Sequence, residues 1–129
     1  MLTEAEIEKE ATVALGAFRR LSGKGMKLGF DRTSLAWVES YIDSNRETFS
    51  TSEAQAFIGL VGVYLGECVR QAYGGSWKEK DGDWGIFFND NSAAFPFNKA
   101  RKLVENGLAA GDSITGLFDV LPVILKRAP

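Results

Sequence analysis

Residues 54–73 read "AQAFIGLVGVYLGECVRQAY", and the way this run folds decides the rest of the chain. Its apolar residues fall on every side of a helical wheel rather than on one stripe, the pattern of a helix buried all round. Ser50 and Glu53 stand before it at capping-box spacing, each able to satisfy a backbone donor at the helix start. Gly59, Gly62 and Gly66 interrupt it at intervals of three and four. Glycine weakens a helix by up to about 1 kcal/mol per residue. The spacing gathers all three near one face, where another backbone can approach, so tight packing is needed to offset the cost. The sequence therefore predicts a central helix with the other elements laid against it.

Within that run Glu67 and Arg70 are three residues apart, close enough to pair along the helix. Charged side chains are seldom buried unless paired, so a structural pair at the helix's solvent edge is the favoured reading. A ligand-orienting pair is the alternative, because deep ionisable groups cluster at functional sites. Cys68 lies in apolar surroundings and reads as an inert core thiol.

Toward the C-terminus, Gly74-Gly75 closes the helix and the pattern turns strand-like. "SWKE", "DWGIFFND" and "SAAFPF" predict two or three short antiparallel strands. "KDGD" supplies a turn with Gly82 free to take positive φ, and "NDNS" supplies the next. Trp77 and Trp84 bracket the first turn. Ile86 and Phe88 share a strand face with Trp84, which leaves Phe87 on the other side and a candidate for exposure. Pro96 marks a strand end or helix start. "NKARKLVENG" predicts a helix with Ala100, Leu103 and Val104 inward, closed by Gly107. Asp112 or Ser113 then caps "ITGLFDVLPVIL", a last helix interrupted near Pro122.

Toward the N-terminus, Thr3 and Glu6 repeat the capping-box spacing, and Ile7, Ala11, Ala14, Leu15, Phe18 and Leu21 form a helical stripe ended by Gly23. "GKGMKLGF" is a glycine-rich connector without the Gly-Lys-Ser/Thr ending of a phosphate loop. Asp31, Thr33 or Ser34 caps a second helix over 34–46, in which Leu35, Val38 and Ile42 face inward with Tyr41 or Trp37. The fold class expected is α+β: one helix-rich domain over 1–129, its small antiparallel sheet of two or three strands packed on the central buried helix. Its helical part spans 1–50; the central helix, hairpin and C-terminal helices span 51–129.

Composition excludes several functions. At 129 residues the chain can bury roughly two-thirds of its unfolded surface, enough for one self-supporting core. With a net charge of −2 it lacks the basic stripe that nucleic acid requires. It contains no histidine and one cysteine, which removes His-based triads, Cys–His pairs, His-containing zinc sites and four-cysteine sites. The acids at 79–90 do not follow the calcium-loop series, and no other cofactor motif is present. The acidic N-terminus is unlike a signal peptide, and no apolar run approaches the roughly 20 residues of a membrane span. A cytoplasmic location without membrane contact is expected.

"LGECVRQAYGGSW", "DGDWGIFF", "FPFNKARKLVENG" and "DSI", in that order over residues 60–116, resemble a family of short bacterial domains of unknown function. Some similar small acidic proteins are immunity partners of secreted toxins. The resemblance implies bacterial origin and an α+β fold, and carries no active site; residues 1–50 lie outside it.

The functional expectation is a non-enzymatic protein-binding module of the immunity or antitoxin-like inhibitor kind. Trp77, Lys78, Asp81, Asp83, Trp84 and Phe87 form its contact set, since aromatic residues lead at interface centres and charges at rims. Self-association is compatible with this reading. The alternative is a small-ligand domain with a pocket between central helix and sheet, in which Glu67, Arg70 and Lys99 orient the ligand.

Overall fold

A computed structural model describes residues 2–23 and 26–127. Lys24 and Gly25, inside the expected connector, fall outside them. In chain order the elements are α1 (Glu4–Ser22), α2 (Arg32–Asn45), α3 (Thr51–Tyr73), β1 (Ser76–Lys80), β2 (Asp83–Asn89), β3 (Ser92–Ala94), α4 (Pro96–Asn106) and α5 (Ile114–Arg127). The fold is the helix-rich α+β arrangement expected. α3 stands at its centre, with α1 and α4 packed against it and the sheet beside them.

The capping box of α3 is complete: Ser50 Oγ accepts from the Glu53 amide, and the Glu53 carboxylate accepts from the Ser50 amide. From Val61 to Val69 every residue of α3 is buried. The close approaches at its glycines are made by rings rather than by the backbone expected. A Cβ on Gly66 would collide with the Trp77 ring, and one on Gly62 with the Phe97 ring, whereas Gly59 faces open space. The two rings lie 6.1 Å apart, filling the groove those glycines leave. Glycine here makes room for aromatic mass, and burying that mass offsets the lost helix propensity.

The sheet is a meander in the order β1-β2-β3, all antiparallel. Trp77 pairs with Ile86 and Ile86 with Ala94, so one buried row crosses all three strands toward α3. At the tight turn both Asp81 (φ 54°) and Gly82 (φ 85°) are left-handed, which matches a two-residue hairpin loop to the strand twist. β3 ends at Ala94, and Pro96 opens α4 rather than extending the strand. Proline suits a first helical turn because its missing N–H would have no partner there.

Other expectations shift in detail. Thr3 caps α1, but the return half of its box is absent: the Thr3 hydroxyl instead donates to Glu6 Oε1 at 3.1 Å. Leu21 leaves the α1 stripe and is exposed. α2 starts at Arg32 because Asp31 is its cap, accepting from the Ser34 amide at 2.8 Å. The segment before it is tied down by its own neighbours. Arg19 Nε donates to the Leu28 carbonyl at 2.8 Å, Tyr64 Oη to the Gly29 carbonyl at 2.6 Å, and the Gly29 amide to Ser34 Oγ at 2.8 Å.

The expected interruption at Pro122 does not occur, and α5 runs through it. Proline lacks the N–H that the carbonyl four residues earlier would accept. That carbonyl belongs to Phe118, and Tyr73 Oη donates to it at 2.9 Å from the end of α3. A side chain from another helix replaces the missing backbone donor. Among the described residues no helix is long and apolar enough to cross a membrane.

Candidate functional site

Three polar features stand out, and two of them are absorbed by the fold. The first surrounds Glu67, which is buried in the middle of α3. Arg70 Nε donates to both of its oxygens at 3.1 Å, and Arg70 Nη2 adds a short contact to Oε1. Gln71 Nε2 donates to Oε1 at 3.2 Å and Trp77 Nε1 to Oε2 at 3.2 Å. Burial pushes the Glu67 carboxyl up, but these donors outweigh it and hold the group below the usual carboxylate range. Arg70 also reaches Glu8 of α1 at 3.4 Å, so the pair links helices at the edge of the core.

The second feature runs along α2 and the residue that caps its end, where Glu39, Asp43 and Arg46 follow one another at helical spacing. Glu39 is buried and no salt bridge reaches it among the described residues. Its carboxylate accepts from Ser113 Oγ at 2.7 Å, the Thr115 amide at 3.1 Å and Thr115 Oγ1 at 2.9 Å. Asp43 accepts from the Leu108 amide at 2.8 Å. Arg46 Nε donates to the Val104 carbonyl at 3.0 Å, and its Nη2 to the Glu105 carbonyl. Anionic groups thus meet the N-terminus of α5 and the amide after α4, and the cation meets the C-terminus of α4. The signs of Glu39 and Arg46 suit the helix ends they face, and Asp43 serves the free amide that follows α4. One helix caps two others. Ser113, rather than Asp112, is α5's own cap, accepting from the Gly116 amide at 2.9 Å.

Among the described residues no buried side-chain nitrogen or oxygen lacks a hydrogen-bond partner. The Cys68 thiol is buried, and desolvation pushes it up to about 12, so it carries no thiolate near neutral pH.

The third feature is open. A groove of about 630 Å³ lies where the hairpin tip meets α1, α3 and α4. Trp84, Phe95 and Phe97 line it beside Ile58, with Glu10, Asp83 and Arg101 adding charge. Trp84 and Phe97 are half-buried and Phe95 is exposed.

The structure divides the expected contact set. Trp77 leaves it: at 1% exposure it is a core residue, bonded to Glu67 and seated on Gly66. Its indole fills the space between α3 and the sheet in which the ligand alternative placed a pocket. Asp83 and Trp84 line the groove, and Asp81 is exposed at the tip beside them. Lys78 and Phe87 line a separate depression of about 480 Å³ with Ser76, Lys80 and Asn89. Phe87 is half-buried rather than bare, because Phe95 stacks edge-on against it at 5.8 Å. Of the ligand trio, Glu67 and Arg70 are joined as described, whereas Lys99 on α4 forms no hydrogen bond or ion pair with them.

Sequence reasoning missed Phe95, Phe97, Asn98 and Arg101 as groove residues. It also missed the α2 capping strip, whose one signal was charge at 39, 43 and 46 on a single helical face. No family model, no curated protein and no solved structure matches the chain, so the resemblance described above rests on motif order alone.

Proposed function

We propose that the chain is a non-enzymatic cytoplasmic protein-binding module of the immunity or antitoxin-like inhibitor kind, its contact surface the hairpin tip and the groove beneath it. The observation that carries this reading is the groove itself: three aromatic side chains within reach of solvent, with Asp83 and Glu10 among them. Aromatic floors with charged rims are where binding energy concentrates at protein interfaces. With Glu10 and Asp83 against one Arg101, the rim is net acidic and favours a partner segment that presents a lysine or arginine, whose long stem lies along apolar surface while its charge meets the acids. The buried acids, by contrast, are already engaged within the fold.

Capture from the native cell with wild-type, Trp84→Ala and Asp83→Lys proteins tests the assignment. A stoichiometric protein held by wild type and bound at least ~10-fold more weakly by both variants is the expected result. Equal retention by all three overturns the surface.

The groove volume also lies within the roughly 300–1,000 Å³ range of small-molecule sites, which favours a ligand as the second reading. Asn98 and Arg101, not Glu67 and Lys99, would then orient it. A clean monomer in the capture, with a metabolite that raises the melting temperature of wild type but not of Trp84→Ala, decides for that reading.

A further inference from the structure

The groove beneath the hairpin tip sorts its polar groups by element. Glu10 on α1 and Asp83 at the start of β2 supply carboxylates, whereas Asn98 and Arg101 on α4 supply N–H donors. Asn98 and Arg101 are three residues apart and so share one face of α4. All four are exposed, and no salt bridge among the described residues reaches Glu10, Asp83 or Arg101. Acceptors and donors thus come from different elements, with Trp84, Phe95 and Phe97 lining the space they share.

An occupant with positive charge alone would satisfy the acids and leave Arg101 facing a like charge. One that carries both a cation and a carboxylate meets both sets. The aromatic lining decides which cation. A guanidinium is planar, weakly hydrated and stacks on aromatic faces, tryptophan above all, and its fork of donors matches a carboxylate. An ammonium is a compact, strongly hydrated charge and loses more on leaving water. A C-terminal arginine is the smallest unit of a protein that holds a guanidinium and a carboxylate on one residue. We propose, on the basis of the protein-binding reading above, that the groove receives the C-terminal arginine of its partner. The guanidinium meets Trp84 and the acids, the stem lies along the phenylalanines, and the terminal carboxylate meets Asn98 and Arg101.

Isothermal titration of the full chain with acetyl-glycyl-arginine tests this without the partner. A dissociation constant between about 10 μM and 1 mM is expected. The C-terminal amide of the same peptide should bind at least ~10-fold more weakly, and the lysine peptide at least ~5-fold more weakly. Arg101→Gln, at an exposed position, should bring acid and amide to within about threefold of each other, and Trp84→Leu should weaken both at least ~10-fold. Free arginine, whose α-ammonium adds positive charge beside Arg101, should bind more weakly than the capped peptide. No binding at about 10 mM, an amide as tight as the acid, a lysine peptide as tight as arginine, or tighter binding of free arginine each overturns the proposal. If it falls in this way while Trp84→Ala still loses the captured partner, the protein-binding reading stands; a partner retained by Trp84→Ala overturns both.

Discussion

Glu39 and Glu67 are both carboxylates buried in helices, and they are stabilised by different means. Glu67 has a cation beside it on its own helix, with an indole and an amide completing the shell. Glu39 has two hydroxyls and a backbone amide at the start of another helix. The first is an ion pair made local by sequence spacing. The second is a helix cap supplied from 76 residues away, where aligned peptide dipoles take the place of a counter-charge. A buried charge needs donors, and a helix end supplies them as well as a guanidinium does.

The comparison breaks first at Glu67. Glu67→Ala leaves the Trp77 indole N–H and the Arg70 guanidinium without their acceptor, and should lower stability by about 3–5 kcal/mol in urea unfolding. A loss below about 1 kcal/mol would mean that the pair is replaceable by water and Glu8. The same site carries a pH signature. Because its folded-state pKa is depressed, its contribution is complete above the unfolded value of about 4.3 and is lost as pH falls through the folded value. Stability measured down that acid limb should fall less steeply in Glu67→Gln than in wild type.

Glu39→Ala should cost somewhat less, about 2–3 kcal/mol, because the Ser113 and Thr115 hydroxyls, 3.0 Å apart, can still bond each other. Hydrogen exchange would localise the damage: amides in the first turn of α5 should lose protection before those of α3. The smallest effect sharpens the distinction. Thr115→Val removes one donor and leaves the amide contact, so about 1 kcal/mol is expected. If Thr115→Val costs as much as Glu39→Ala, the hydroxyl rather than the amide carries the cap.

The same contrast explains what the sequence could show. Glu67–Arg70 was legible because both partners fall within one turn, and the Ser50–Glu53 box and Gly82 turn were legible for the same reason. The burial of α3 followed from its all-round apolarity, and the hairpin from alternation around a turn. The fate of Trp77 was not legible. Trp77 and Trp84 look alike in sequence, and only the strand register, with Trp77 opposite Ile86 and Trp84 opposite Glu79, puts one over Gly66 and the other at the edge. Glu39, Asp43 and Arg46 were invisible as caps because their partners lie more than fifty positions downstream. The groove, too, needs four elements brought together before Phe95, Phe97 and Arg101 share a surface.

The hydroxyl that Tyr73 extends to the Phe118 carbonyl ties two distant positions into one inheritance. With proline at 122, losing that hydroxyl leaves an acceptor unmet, whereas a residue with its own N–H at 122 would make the hydroxyl dispensable. Tyr73→Phe should therefore be harmful in the present chain and nearly neutral in a Pro122→Ala background, an epistasis written by a single missing hydrogen.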